Sequence, residues 1–135
     1  MKVFLVDDDA LLRMTIKITL TRERDIEIIG EANDGFNAIE KIKMYPPDLC
    51  LIDVDMPGIS GIEVIRVLRE DFPQMKILLL SNYNDESTIK NAFKLGADGY
   101  VLKTVNDSEL VKIIRSLSNG GSIESSYFVN PSIDF

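Results

Sequence analysis

Five polar residues stand directly after short apolar runs. Asp7 and Asp8 follow Val3–Val6, Asp53 follows Leu49–Ile52, Ser81 follows Ile77–Leu80, and Lys103 follows Tyr100–Leu102. Runs this apolar, without polar alternation, fit strands buried on both faces, as in a parallel sheet. In such a sheet the carboxyl ends of the strands share one edge, where open α/β folds bind ligands. Three carboxylates, a hydroxyl and an ammonium would then meet from distant parts of the chain. Two carboxylates about 4 Å apart repel by roughly 4 kcal/mol at a near-surface dielectric, so a site holding three must protonate one or gain a cation. A hard divalent ion fits, since Mg²⁺ takes one or two carboxylates together with waters and phosphate oxygens. Lys103 adds a positive point charge, and an anion held between metal and ammonium suits a phosphoryl group.

Singly, these residues have ordinary structural readings. An Asp after a strand is commonly a turn former or a helix N-cap, and Asp9 fits that role before a helix starting at Ala10. Tyr100 alone reads as a core aromatic. The combination carries the argument, because four of the five strand ends bear polar groups of matching chemistry. Asp34, Asp48, Asp71, Asp85 and Asp98 read as solvated or capping residues.

The elements that must position the five alternate along the chain. A further apolar run, Ile26–Ile29, completes the strands. Between the strands lie helical stripes: Phe36, Ile39 and Ile42; Ile62, Ile65 and Leu68; Ile89, Ala92 and Phe93; and Leu110, Ile113, Ile114 and Leu117. Turn signals separate them, among them Asn33-Asp34-Gly35, Pro46-Pro47, Pro57-Gly58, Gly96 and Gly120-Gly121. Strand–helix alternation implies an α/β sheet with helices on both faces. One segment is ambiguous. Met14, Ile16, Ile18 and Leu20 alternate with polar residues at period two, which favours a strand, while Leu12, Ile16 and Leu20 share a helical face. A helix is expected there, because parallel strands need a crossover of about a dozen residues.

Composition excludes several function classes. The 135 residues are 45% apolar and 27% charged, an ordinary single-domain composition with enough chain for a core. The apolar runs are far below the roughly 20 residues of a bilayer span, and Met1-Lys2-Val3 leads into a strand rather than a signal peptide. The lone Cys50 sits in an apolar run, as a buried inert thiol does. With no histidine, His-based catalysis and His-ligated zinc are excluded. A net charge of −7 argues against direct nucleic-acid binding. Residues 120–135 lose the periodicity. They read as a tail or linker toward an absent output domain, although Tyr127, Phe128, Val129 and Phe135 make them more apolar than a free linker and could dock back on the domain.

With these positions in view, residues 2–119 resemble the receiver domain of bacterial two-component response regulators. The resemblance rests on Val6-Asp7-Asp8, Asp53 with Met56-Pro57-Gly58 and Gly61, Ser81, Gly96-Ala97-Asp98-Gly99-Tyr100, and Lys103. The lack of a proline after Lys103 and the later Gly120-Gly121 resemble the subfamily with a C-terminal helix-turn-helix output domain. The resemblance implies a flavodoxin-like (βα)5 fold, a doubly wound five-stranded parallel sheet of order 2-1-3-4-5 over residues 1–119. It implies that Asp53 is the phosphoacceptor. Mg²⁺, for which Mn²⁺ could substitute, would be held by Asp8, Asp53 and the backbone carbonyl of Asp55, with Asp7 acting largely through water. Ser81 would hydrogen-bond a phosphoryl oxygen, and Lys103 would pair with Asp53 or its phosphate. The donor would be a phosphohistidine on a sensor histidine kinase, and the location cytoplasmic. Ser81 would then move toward the phosphoryl group and Tyr100 turn inward, changing the partner face made by the fourth helix, fifth strand and fifth helix. The output domain would be the protein's own or a separate one, and a homodimer of the phosphorylated form is plausible for the family.

Departures from the pattern suggest modulation. Asn82 follows Ser81 where something smaller is usual, and its bulk would narrow access to Asp53. Tyr83 and Asp55 would flank attacking water, and Tyr83 is expected to shield the acyl phosphate. Thr104 stands where many receivers have proline, so the bond after Lys103 is expected to be trans. Three rival readings compete with this one. Asp53-Val54-Asp55 also resembles the DxD motif of haloacid-dehalogenase-type phosphatases, but there the motif lies on the first strand. A receiver-like module that is never phosphorylated is a second rival, and the presence of every expected side chain counts against it. Nucleotide binding lacks a Gly-rich loop after the first strand. The last sixteen residues fit a fragment cut just past a receiver better than a stand-alone one.

Overall fold

The structure is a computed structural model and describes residues 1–119. Five strands, β1 (Lys2–Val6), β2 (Glu27–Ala32), β3 (Leu49–Asp53), β4 (Lys76–Ser81) and β5 (Gly99–Leu102), alternate with five helices. These are α1 (Ala10–Thr21), α2 (Gly35–Met44), α3 (Gly61–Asp71), α4 (Glu86–Lys94) and α5 (Asp107–Ser118). The sheet is parallel throughout, in the order β2-β1-β3-β4-β5. This is the flavodoxin-like α/β arrangement expected from the sequence.

Alternate strand residues serve opposite faces. Phe4, Val6, Cys50, Ile52, Ile77, Leu79 and Tyr100 pack with Ala38, Ile42, Val64, Ile65, Leu68, Ile89 and Ala92, so α2, α3 and α4 cover one face. Val3, Leu5, Leu49, Leu51, Leu78, Leu80 and Val101 pack with Ile16, Leu20, Leu110, Ile113, Ile114 and Leu117, which puts α1 and α5 on the other. Cys50 is buried, and burial pushes its thiol up, away from reactivity. The outer strand β2 departs from the two-sided burial expected of every run: Glu27 is exposed and only Ala32 is buried. The bond after Lys103 is trans, with no cis peptide among the described residues.

The ambiguous segment is helical. Asp9 caps α1, its carboxylate accepting from Leu11 and Leu12 N–H at 3.0 and 3.2 Å. The helix buries Ile16, Thr19 and Leu20 and leaves Leu11, Met14 and Ile18 exposed. Exposed Met14 and Ile18, alternating with buried Ile16 and Leu20, produce the period-two pattern. Asp34, Ser60, Asp85 and Asn106 cap the remaining helices. Two of the acids read as solvated or capping are therefore caps, but Asp98 is not as expected. It is partly buried, accepts Ile77 N–H at 2.8 Å and pairs with Arg69 at 2.9 Å, tying β5's approach to the start of β4. The residues expected to form a tail, 120–135, lie outside the described residues. Among the described residues no helix is long and apolar enough to cross a membrane.

Candidate functional site

The parallel sheet brings the ends of β1, β3, β4 and β5 to one edge. Val6 pairs with Ile52, Asp53 with Leu80, and Ser81 with Leu102. Asp53 and Ser81 are the last residues of their strands and both are fully buried. Asp7 is the first residue beyond β1 and is buried too, whereas Asp8 is exposed. Lys103 follows β5, its N–H donating to the Ser81 carbonyl at 2.8 Å.

Four of the side chains, those of Asp7, Asp8, Asp53 and Lys103, lie together. Lys103 Nζ lies 3.1 Å from Asp53 Oδ2 and 3.6 Å from Asp7 Oδ2. One carboxylate oxygen from each of Asp7, Asp8 and Asp53 lies within 4.8 Å of the other two. The remaining oxygens are held by the local turns: Asp7 Oδ1 accepts Asp9 N–H at 2.8 Å, and Asp53 Oδ1 accepts Asp55 N–H at 3.1 Å. Asp7 Oδ2 and Asp53 Oδ2, however, are buried and make no well-directed hydrogen bond. Lys103 approaches both without making a hydrogen bond to either.

The charges explain what is missing. Burial pushes the Asp53 carboxyl up to about 7, and the nearby Asp7 charge adds to the shift, while Lys103 and the Asp55 N–H pull against it. Burial opposes the charge on Lys103, but Asp53 and Asp7 outweigh it and raise the pKa of the ammonium. Three carboxylates and one ammonium leave two negative charges unbalanced. A single divalent cation balances them, and the carboxylate oxygens gathered in the triad are hard ligands. The donor set therefore fits a hard divalent metal.

Other residues of the site are placed less directly. Ser81 Oγ accepts Tyr83 N–H at 2.9 Å, and the Tyr100 hydroxyl donates to the Tyr83 carbonyl at 3.0 Å. Tyr100 is fully buried. Its ring packs in the core with Leu79, Ile89 and Ala92, and its hydroxyl finds a backbone acceptor. Asp55, Asn82 and Tyr83 are exposed. Gly61 starts α3 against the Asp53 carbonyl, and an added Cβ would overlap that oxygen and crowd Val54 Cα. Gly61→Ala is expected to cost about 2 kcal/mol of stability and to weaken metal binding by displacing Asp53. Urea unfolding and a Mg²⁺ titration check this. Lost stability with unaltered metal affinity would show that the displacement does not reach the carboxylate.

A flavodoxin-like sheet with buried acids and a lysine at its strand ends defines a phosphoacceptor type of signalling module. The comparisons make this specific: the family model of the response regulator receiver domain matches residues 3–115, and the chain belongs to that family. It is 35% identical over 121 residues to the transcriptional regulatory protein DegU of Brevibacillus brevis, covering 90% of this chain and 51% of that protein. It is 34% identical over 122 residues to the response regulator protein VraR of Staphylococcus aureus, covering 90% and 58%. The chain thus spans about half the length of these relatives. The signal receiver domain of the response regulator NarL from Mycobacterium tuberculosis superposes with a TM-score of 0.84 at 32% identity, over 88% of this chain and 96% of that one. A LuxR-family two-component response regulator from Aurantimonas sp. SI85-9A1 gives 0.86 at 29% identity, over 92% and 89%.

Sequence reasoning passed over two residues beside the site. Arg13 donates to the Asp7 carbonyl at 2.6 Å and is held by Glu31 at 2.8 Å. A signal existed: an Arg one turn into the helix after the acidic turn, and a Glu just before the end of the neighbouring strand.

Proposed function

We propose that this chain is a phosphorylation-operated switch in which Asp53 accepts a phosphoryl group, in a Mg²⁺-dependent step, from a phosphohistidine on a sensor histidine kinase. The observation that carries this reading is the Asp53 oxygen that lies buried, without a hydrogen bond, 3.1 Å from Lys103 and inside the acidic triad. One Asp53 oxygen is occupied by Asp55 N–H, so the other is the free nucleophile. Its bond to phosphorus forms as the phosphorus–nitrogen bond of the donor breaks, in line. Asp8, Asp53 and the Asp55 carbonyl, with Asp7 through water, would hold Mg²⁺ or Mn²⁺, which when bound neutralises charge on the phosphoryl oxygens. Lys103 pairs with a phosphoryl oxygen. The Ser81 oxygen already accepts from Tyr83, which leaves its proton free to donate to another.

The same contacts support a switch. Ser81, the Tyr83 backbone and Tyr100 are joined by two hydrogen bonds in series. Movement of Ser81 toward a phosphoryl group shifts the anchor of Tyr100, and with it the face of α4, β5 and α5. That is a change in populations of two states of one fold. The relatives' names, a transcriptional regulatory protein and a response regulator protein, support a role in transcriptional control. In this reading the protein is cytoplasmic, its receiver controls a helix-turn-helix output domain, its own or a separate one, and the phosphorylated form homodimerises. With a net charge of −7 this chain contributes no direct contact to DNA. It is not a turnover enzyme; its chemistry is one self-phosphorylation and one self-dephosphorylation. Asn82 narrows the mouth of the site.

Incubation with acetyl phosphate and Mg²⁺ tests the proposal by intact mass. The wild type is expected to gain one phosphoryl group. Asp53→Asn, and wild type with a chelator, are expected to gain none. Equal labelling of Asp53→Asn refutes the assignment, and steady release of phosphate without a labelled protein indicates a phosphatase instead. Tyr83 is proposed to shield the acyl phosphate from water, its side chain being exposed beside Ser81. Tyr83→Ala is then expected to shorten the phosphorylated half-life by about threefold to tenfold, and an unchanged or longer half-life counts against shielding.

A further inference from the structure

We infer that Arg13, held in place by Glu31, is a positioning residue that aims Asp7 and Asp8 at the cation and so sets how tightly the pocket holds it. This rests on the Mg²⁺-dependent reading above and names a residue that reading does not use.

Asp7, Asp8 and Asp9 make up the whole connection between β1 and α1. Asp7 is tied at three points. Its N–H donates to the Ala32 carbonyl at 3.1 Å, and its Oδ1 accepts Asp9 N–H at 2.8 Å. Its carbonyl accepts from the Arg13 guanidinium at 2.6 Å. That carbonyl belongs to the planar peptide joining the two candidate ligands, so its direction sets the plane from which both side chains leave. The Arg13 bond holds that plane while Asp7 Oδ2 is left pointing, unsatisfied, into the pocket.

Arg13 is itself braced. Its Nε donates to Glu31 Oε1 at 2.8 Å, and Lys17 holds Glu31 Oε2 at 2.7 Å. Lys41 of α2 donates to the Glu31 backbone carbonyl at 3.1 Å. The guanidinium is thus fixed between α1 and β2, with β2 fixed in turn from α2. Lys17 and then Arg13 hold the Glu31 carboxyl below the usual range, which favours the charged form of the brace. Partners one step behind metal ligands commonly tune affinity by about tenfold or more.

Charge and position predict opposite signs, which makes the inference testable. Arg13 is a cation near a cation site. If its charge were what mattered, removing it would tighten metal binding. If it positions the turn, removing it loosens binding. Arg13→Met keeps the apolar stem and removes the donors. Titration of the whole chain by calorimetry with Mg²⁺, and by electron paramagnetic resonance with Mn²⁺, is expected to show on the order of tenfold weaker binding in this variant. Arg13→Lys, which restores a cation with rotatable donors, is expected to recover part of the loss, and lowered stability alone would not produce that pattern. Unchanged or tighter binding in Arg13→Met overturns the inference while leaving the site intact. Should Arg13→Met fail to fold, Glu31→Gln is expected to weaken binding by about threefold through loosening of the guanidinium, and unchanged affinity there overturns it equally. Absence of any binding by the wild type overturns the Mg²⁺ reading first and this inference with it.

Discussion

Without metal, Asp53→Asn is expected to be more stable than the wild type by roughly 2–3 kcal/mol at about pH 8, and nearly equal to it at about pH 4. The direction follows from the raised pKa. Burial first, and the Asp7 charge after it, lift the Asp53 carboxyl from its ordinary 3.8 to about 7. The folded state therefore binds a proton that the unfolded chain has already released across that interval. Stability falls as pH rises between these values, because ionisation of Asp53 is opposed only in the folded protein. Asparagine has no such cost and keeps nearly the same shape. Glu31 carries a lowered pKa and contributes the opposite slope, so the difference between the two proteins, rather than either curve, isolates Asp53. Urea unfolding of both across the pH range measures it. Mg²⁺ should narrow or reverse the gap by stabilising only the wild type in proportion to its binding. A gap independent of pH would place the stabilisation elsewhere.

Lys103→Met should change three quantities in different directions. Among the described residues the ammonium is the one cation facing both Asp7 and Asp53, at 3.6 and 3.1 Å. Removing one partner of a buried ion pair leaves the other charge unbalanced, and about 3 kcal/mol of metal-free stability should be lost at about pH 8. At about pH 5 the loss should shrink, because Asp53 can then take up a proton instead. Mg²⁺ should bind about tenfold tighter, since a competing positive charge is gone. Phosphorylation by acetyl phosphate at saturating Mg²⁺ should nevertheless slow by about a hundredfold, because a fixed cation no longer meets the charge on the transferring group. Urea unfolding at the two pH values, a calorimetric titration and a rate measurement cover these. Tighter metal binding with an undiminished rate would make Lys103 a counterion to the empty pocket and nothing more.

The fold and the central residues of the site were legible because both rest on short-range patterns. Continuous apolar runs such as Leu49–Ile52 mark strands with two covered faces, and parallel pairing then forces Asp7, Asp53, Ser81 and Lys103 to one edge. Asp9 could be read as a cap because a cap is local. Met14–Leu20 was harder, since α1 leaves Leu11, Met14 and Ile18 exposed and so dilutes the helical period. Burial of β2 was overestimated because a run of apolar residues does not say which strand lies at the edge. Asp98 and Arg13 depend on contacts between residues far apart in the chain or on opposite sides of a turn, Asp98 with Arg69 and Arg13 with Glu31. No periodicity announces such pairs. Tyr100 reads correctly as a core aromatic, but its inward orientation depends on a hydroxyl finding the Tyr83 carbonyl, a matter of tertiary geometry.

The most direct test is chemical mapping of the modified residue. The chain is phosphorylated with acetyl phosphate and Mg²⁺, reduced with borohydride, and digested for peptide sequencing. Reduction converts an aspartyl phosphate into homoserine and leaves free carboxylates unchanged. Homoserine at position 53 and at no other acid, dependent on Mg²⁺, is the expected result. Homoserine at Asp8 or Asp55, or none in a protein that has bound Mg²⁺, would contradict the role assigned to the buried carboxylate beside Lys103.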